Sequence, residues 1–316
     1  MSVSTATPAL PESRSTVLGG FAFGLVGVAI WSGWSVLTRM DMRGDMAVTD
    51  LVALRFATAG LLLLPVLLRK GLPLRRIGVP GVLALAAGAG APYVLLGAGG
   101  HAFAPVSHSG VLICCGVPLV TAALSRIFFG ETFTLARGIG YGLILLAAVV
   151  LMAESVLGGG FGGQVLIGDV MFVGGAVLWA SYTVLARHFG LEPLHSTAIV
   201  AVVSAALYLP VYVLLLDPGI ATLSWRSIAV QAGFQGIMTS IISLLTFSIA
   251  IRRIGASRTA ALSALVPAAS VLLAMPVLDE WPTALETVGI AIGTAGVALA
   301  SGAIAPKRLS AGRDRR

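Results

Sequence analysis

The sequence has very little charge. Asp, Glu, Lys and Arg make up 10% of its 316 residues, whereas ordinary soluble domains contain about 25%. Hydrophobic residues make up 57%, and the mean hydropathy is +0.99. A water-soluble fold of this composition would have to expose much apolar surface, because its polar residues are too few to cover it. The composition therefore excludes an ordinary soluble protein and predicts a chain that lies in a lipid bilayer.

Cysteine is nearly absent, and acidic residues are missing from the middle of the apolar runs. The two cysteines, Cys114 and Cys115, are neighbours in one run. Adjacent helical residues point about 100° apart, so we expect no disulfide between them. No Cys/His spacing suggests zinc, and no acidic pair or Ser–His arrangement suggests catalysis. The sequence predicts no metal, no cofactor and no enzyme.

Basic residues outnumber acidic ones, 20 to 13. They are scattered between apolar runs and at the C-terminus, without the basic face that nucleic-acid binding requires. We interpret them as topology signals beside membrane helices. Residues 1–16 are rich in Ser, Thr and Pro and lack the basic start of a signal peptide. They are predicted to form a disordered tail, and residues 306–316 a basic tail.

Ten apolar runs are long enough to cross a bilayer, which takes about 20 residues. The long uncharged stretch between Arg76 and Arg126 contains two of them, because Gly99, Gly100 and Pro105 supply a turn. The predicted spans are 17–38, 51–68, 77–98, 104–124, 135–153, 166–186, 194–216, 227–251, 259–278 and 283–303. The prediction is an all-α polytopic membrane protein with ten transmembrane helices.

The charges in the loops predict the orientation. With ten spans, both termini lie on one side of the membrane. Arg39, Arg43 and Arg226 fall on the other side, and all remaining basic residues except the intramembrane Arg55 fall on the side of the termini. The positive-inside rule then places both termini in the cytoplasm, in an inner (plasma) membrane of bacterial type.

The chain contains an internal repeat. Residues match at a constant offset of 149, as Val117 with Val266, Pro118 with Pro267, Glu131 with Glu280, Thr134 with Thr283 and Gly140 with Gly289. Trp31 and Trp179 lie in a second matching pair of segments. Five spans per repeat is an odd number, so the repeats must be inverted, as in many transporters. The predicted organisation is a first repeat 17–153, a glycine-rich linker 154–165 and a second repeat 166–305.

These segments resemble the drug/metabolite transporter superfamily, specifically the EamA-like family of bacterial inner-membrane exporters. The resemblance covers nearly the whole chain, although Asp279 stands where the family often has Gly. Its carriers are Val117-Pro118 to Glu131-Thr132, Val266-Pro267 to Glu280-Trp281, Leu54-Arg55-Phe56, and the Trp31 and Trp179 segments. The resemblance implies ten helices, a central cavity lined mainly by helices three, four, eight and nine, and export of amino acids or related metabolites.

Two titratable residues inside predicted spans have open interpretations. Arg55 is the only basic residue clearly inside a predicted span, where a central charge costs about 2.5–3.5 kcal/mol. It snorkels to the outer interface, or it contacts a substrate carboxylate or acts as a latch between helices. His108 is a buried neutral histidine that donates to a backbone carbonyl, or a protonatable coupling group.

Other residues are assigned by their place in the repeat or the spans. Pro118 and Pro267 are predicted to kink their helices and to shape the cavity or act as hinges. Glu131 and Glu280 are expected to pair with nearby bases or to cap the next helix, and Gly140 and Gly289 are structural. The candidates for substrate binding are Trp34, Ser35, Arg55, Tyr93, His108, Trp179, Tyr182, Gln235, Thr239, Ser243 and Ser263.

The function predicted from these features is the export or exchange of small metabolites by alternating access. Few fixed charges and several aromatic residues favour amino acids or related zwitterionic or amphipathic compounds. One alternative is a non-transporting membrane scaffold or sensor, which would be expected to carry a soluble domain. Another is an intramembrane enzyme, which would need a catalytic constellation. The sequence leaves the coupling ion and the oligomeric state open, a homodimer included.

Overall fold

The structure is a computed structural model that describes residues 14–44, 46–159 and 163–302. All regular elements in this part of the chain are helices, as predicted. They are α1 Arg14–Arg43, α2 Val48–Lys70, α3 Leu74–Ala89, α4 Ala91–Gly99, α5 Val106–Ser109, α6 Gly116–Phe129, α7 Leu135–Gly159, α8 Gln164–His188, α9 Pro193–Leu215, α10 Trp225–Gln231, α11 Ser243–Ile254, α12 Ala256–Ser263, α13 Val266–Leu278 and α14 Ala284–Ala300. The predicted tails, apart from residues 14–16, and the centre of the predicted linker lie outside the described residues.

Within the described ranges, nine helical segments are long and apolar enough to cross a membrane. They coincide with the first nine predicted spans. The segments are Ser15–Arg43, Val48–Lys70, Leu74–Ala102, Val106–Phe129, Leu135–Gly158, Gln164–His188, Pro193–Leu215, Trp225–Ile254 and Arg258–Leu278. The tenth predicted span is α14, which has 17 residues. A multi-pass membrane architecture is confirmed, and ten crossings remain a prediction.

Helix α14 packs along α7 through glycines. A Cβ atom at Gly140 would lie 2.6 Å from the backbone nitrogen of Ala300, and one at Gly289 would lie 3.3 Å from Leu151. Small residues of this kind allow membrane helices to approach closely. Gly140 and Gly289, predicted to be structural, therefore lie in one antiparallel interface. Because α14 runs beside α7 over much of its length, both helices occupy the same layer.

Several spans are interrupted rather than continuous. A π-helical segment, Gly110–Cys115, joins α5 to α6, and a second one, Ala232–Ile242, joins α10 to α11. The ninth predicted span is broken between α12 and α13. Pro267 lies in the first turn of α13, directly after this break. Its role as a kink or hinge remains a prediction.

The bundle has two ends. The terminal end carries the start of α1 and the end of α14, and the opposite end carries the connection from α1 to α2. At the terminal end, Lys70 pairs with Glu192, and at the opposite end Arg39 pairs with Glu280. Helix α6 ends at the terminal end and helix α13 ends at the opposite end, and both stop in a similar way. Gly130 after α6 has φ 65° and Asp279 after α13 has φ 54°, both in the left-handed region.

Candidate functional site

A cavity of about 310 Å³ lies at the centre of the bundle. Residues from all spans except the fifth and the tenth contribute to its wall, more than the four helices that the family resemblance implied. Arg55 lies seven residues from the start of α2 at the opposite end, whereas Thr197 lies in the second turn of α9 at the terminal end. The cavity therefore extends from the middle of the bundle towards the terminal end.

Most of the residues predicted to bind substrate meet in this cavity. The predicted residues that line it are Trp34, Ser35, Arg55, Tyr93, Pro118, Trp179, Tyr182, Thr239, Ser243 and Ser263. Gln235 lies directly behind the wall, as described below. Pro267 packs outside it, with its Cα 3.1 Å from the position of a Cβ at Gly110, and His108 lies nearer the opposite end. A single surface therefore collects residues that the sequence distributes over seven spans.

The wall of the cavity is largely aromatic. The rings of Tyr93 and Trp179 lie 4.9 Å apart between centroids, and those of Trp179 and Tyr182 lie 5.6 Å apart. Trp31 and Phe247, which the candidate set omitted, form another ring pair at 4.7 Å. The match of Trp31 with Trp179 in the repeat was the signal that could have identified Trp31. Such a wall suits ligands with an apolar body or an ammonium group.

Arg55 supplies the positive charge of the cavity. Its side chain is 5% exposed, and its Nη1 lies 3.3 Å from Oε1 of Gln235. Its Nε has no hydrogen-bond partner within the described residues, and no carboxylate lines this wall. The interpretation that Arg55 snorkels to the interface is therefore wrong. The guanidinium lines the cavity and retains unused donors.

Gln235 holds Arg55 in position. Its Oε1 also accepts a hydrogen bond from Trp34 Nε1 at 3.0 Å, and its Nε2 donates to Thr38 Oγ1 at 3.3 Å. Gln235 is fully buried in the π-helical segment Ala232–Ile242. Because an amide is neutral, this network orients the guanidinium without neutralising it. The positive charge therefore remains available to a ligand.

The opposite end of the bundle is closed above the cavity. Arg39 Nε and Arg43 Nη2 lie 2.7 and 2.6 Å from Glu280 Oε1, and Val106 N–H donates to Glu280 Oε2 at 3.0 Å. An apolar layer accompanies these contacts, formed by Val36, Val106 and Ala274, which are almost completely buried. Charged and apolar contacts thus separate the cavity from this end.

A matching ion pair lies at the terminal end but is far more exposed. Arg187 Nη1 lies 2.7 Å from Glu131 Oε1, and these side chains are 62% and 35% exposed. Arg39 and Glu280 are only 12% and 11% exposed. Glu131 and Glu280 both face arginines, and their structural role remains a prediction. The two ends therefore differ in how deeply their ion pairs are buried.

His108 has carboxylate partners rather than the backbone carbonyl expected of a neutral histidine. Its Nδ1 lies 2.7 Å from Asp169 Oδ1, and its Nε2 lies 3.1 Å from Glu286 Oε1. Sequence analysis missed both acids because they lie near the edges of predicted spans. Ser155 Oγ donates to the other oxygen of Asp169 at 2.5 Å. The cluster therefore joins residues of α5, α7, α8 and α14.

Comparison with known proteins identifies the relatives of this chain. The model of the EamA-like transporter family matches residues 18–153 and 166–302. Uncharacterized transporter YyaM of Bacillus subtilis (strain 168) is 27% identical over 202 residues, which cover 62% of this chain and 65% of the relative. A probable terminal-alkyne amino-acid exporter of Streptantibioticus cattleyicolor is 27% identical over 204 residues, which cover 63% and 65%. The match thus spans just under two thirds of each relative.

A solved crystal structure shares the fold. It superposes with a TM-score of 0.60 at 23% sequence identity, and the match covers 90% of this chain and 96% of the other. The arrangement of helices described here therefore occurs in another protein.

Proposed function

Because the chain belongs to the EamA-like transporter family, we propose that this membrane transporter exports or exchanges amino acids or related zwitterionic metabolites by alternating access. The observation that carries the substrate class is Arg55, a buried cation with unused donors in an aromatic cavity. An arginine can bind a carboxylate through two parallel hydrogen bonds. The substrate carboxylate is therefore placed against Arg55.

The rest of the cavity wall favours a substrate that carries no net charge. The aromatic faces of Trp179 and Tyr182 can accept an ammonium group through cation–π contacts, and they can also cover an apolar side chain. The volume of about 310 Å³ lies at the lower end of the range for small-molecule sites. The relative named as a probable amino-acid exporter supports the same class.

Inverted repeats are supported by the way the two halves pack. Helix α1 packs against α11 and α13 of the second half, and its sequence counterpart α8 packs against α3 and α4 of the first. Helix α2 packs on its counterpart α9, and α7 on its counterpart α14. A two-fold relation between the halves produces this pattern of swapped and self-matched pairs. It also supports a tenth crossing, formed by α14.

The two ion pairs at the ends of the bundle are also related by the two-fold relation between the halves. They suggest how access alternates between the two sides. Arg39 matches Arg187 in the repeat, and Glu280 matches Glu131, so the pair at one end is the counterpart of the pair at the other. The pair Arg39–Glu280 is buried and the pair Arg187–Glu131 is exposed. We infer that the pairs exchange their degree of burial when the opposite end opens and the terminal end closes.

The orientation proposed from the loop charges indicates which side of the membrane the cavity faces in the state described here. Both termini lie in the cytoplasm of a bacterial inner membrane, so the cavity described here faces the cytoplasm. A substrate that is exported would enter in this state. The positive-inside bias of the loops supports this orientation.

Transport assays with Arg55 variants test the proposal. Purified protein in liposomes is expected to exchange labelled L-phenylalanine or L-leucine. Arg55→Gln should weaken substrate affinity about 10- to 100-fold, since charged hydrogen bonds contribute about 1.5–3 kcal/mol. Arg55→Lys, which keeps the charge, should lose less. Arg226→Gln, at an exposed position outside the cavity, serves as the matched control.

Two results would overturn this assignment. Unchanged affinity in Arg55→Gln would remove the carboxylate contact. Exchange that is equally fast for amino acids and for analogues lacking the carboxylate would remove the substrate class.

A further inference from the structure

The cluster around His108 contains a proton that its geometry requires. Both ring nitrogens face carboxylate oxygens, Asp169 Oδ1 at 2.7 Å and Glu286 Oε1 at 3.1 Å. A neutral imidazole has one N–H and can donate only one hydrogen bond. The two bonds together therefore need a second proton, which gives an imidazolium between two carboxylates. The three side chains are 3%, 0% and 9% exposed.

Loss of the second proton would break one of the two bonds. Asp169 is held by Ser155 as well as by His108, so the bond at Nδ1 is the better supported one. At Nε2, an unprotonated nitrogen would face the carboxylate of Glu286, and two acceptors repel each other. The contact between α5 and α14 therefore depends on this proton.

The charges around the cluster also favour a bound proton. Glu154 of α7 lies close to it, since a ring nitrogen of His108 and one carboxylate oxygen each of Glu154 and Glu286 lie within 4.8 Å of one another. The nearby bases Arg39 of α1 and Arg43 are paired with Glu280, beyond α13. His101, which contacts Ser109 next to His108, offers no carboxylate. An excess of acidic groups thus surrounds His108.

A pocket at the opposite end reaches Glu286 of the cluster. This second pocket has a volume of about 330 Å³, and Glu286, Thr283 and Glu280 contribute to its wall. The central cavity does not include Glu286 or His108. The cluster therefore borders the opposite-end pocket and is separate from the substrate cavity.

The same short helix connects the cluster to the closed ion pair. Helix α5 begins at Val106, whose N–H donates to Glu280, and His108 lies two residues further on. Protonation binds α5 to α8 and α14, which keeps Val106 in place beside Glu280. Loss of the proton releases α5 from α14 and weakens the contacts that close this end.

We propose that His108, Asp169 and Glu286 form a proton-binding site that links transport to the pH at the opposite end of the bundle. A bound proton favours the state described here, closed at the opposite end and open at the terminal end. Acid at the opposite end therefore returns the transporter to the state that loads substrate from the terminal end. This inference rests on the proposed transport function.

The transport test uses membrane vesicles of known orientation and labelled L-phenylalanine as the probe. Under conditions in which the return to the state open at the terminal end limits turnover, acidifying the compartment at the opposite end should speed net export, by up to about tenfold per pH unit for one proton. His108→Gln should lose this response, so that its rate of net export is the same at every pH of that compartment. His195→Gln, a partly exposed histidine bonded to the carbonyl of Gly71, should respond as the unchanged protein does. A gradient response that survives in His108→Gln would overturn the proposal.

A binding measurement separates this proposal from the transport function itself. The melting temperature of the purified protein should fall by about 2–4 °C as the pH rises and the cluster loses its proton, and His108→Gln should lack this fall. If the melting temperature falls with rising pH but no transport is detected, the proposed function would be refuted and the proton site supported. A pH-independent melting temperature that Zn²⁺ raises only when His108 is present would show a metal site instead and refute the proton site.

Discussion

The pair between Arg39 and Glu280 gives a quantitative test of how the opposite end is closed. Glu280→Gln keeps an acceptor for the N–H of Val106 but removes the charge that binds Arg39 and Arg43. Removing one partner of a buried ion pair costs about 3–5 kcal/mol, and an exposed pair is worth about 0–1 kcal/mol. Because about one tenth of each side chain is exposed in the pair Arg39–Glu280, we expect Glu280→Gln to destabilise the state closed at the opposite end by about 2–3 kcal/mol.

That free energy should appear as a shift between access states. At about 1.4 kcal/mol per tenfold change, Glu280→Gln should raise the population open at the opposite end roughly 30- to 150-fold. Glu131→Gln is the matched comparison, because its pair with Arg187 is exposed in the state described here and is proposed to become buried when the terminal end closes. It should therefore not raise the population open at the opposite end.

Cysteine labelling measures these populations. A reporter cysteine replaces Ser35, which is buried in the cavity wall, in a background in which Cys114 and Cys115 are changed to alanine. An impermeant maleimide is added from the side of the opposite end. If opening is rapid, the labelling rate follows the open population, so Glu280→Gln should accelerate labelling far more than Glu131→Gln. Equal rates in the two variants would refute the reasoning that burial decides which pair closes the protein.

Three further predictions concern packing, backbone and topology. Gly140→Ala should destabilise the protein by about 1–3 kcal/mol, because its Cβ would meet backbone atoms of α14. Gly142→Ala, whose Cβ would meet nothing within 4 Å, should instead stabilise α7 by up to about 1 kcal/mol. Thermal unfolding of the two variants measures the difference. Asp279→Gly should raise the melting temperature, because a left-handed residue with a side chain costs about 1–2 kcal/mol; a lowered value would mean that its side-chain contacts matter more. Reporter fusions after Arg316 should indicate the cytoplasm and fusions within 158–163 the outside, and a cytoplasmic signal from the second would contradict the inverted repeats.

The membrane architecture and much of the cavity wall could be predicted from the order of the amino acids. Apolar runs identified the nine long spans because the requirement for about 20 apolar residues is local to each span. Polar and aromatic residues inside those runs identified most of the cavity wall, since a side chain such as Ser243 or Trp179 is better placed inside the bundle than against lipid. The repeat also predicted that Glu131 and Glu280 have equivalent roles.

Which polar groups meet depends on how the helices pack. Arg55 lies in the cavity because Gln235, 180 residues away in the chain, holds its guanidinium there, and nothing near Arg55 in sequence indicates that partner. His108 likewise finds Asp169 and Glu286 at separations of 61 and 178 residues. Hydropathy reports how each segment partitions between water and lipid, and this depends on the segment alone. A buried charge is stabilised by the groups that folding brings around it, so its role could be assigned only after the helices were packed.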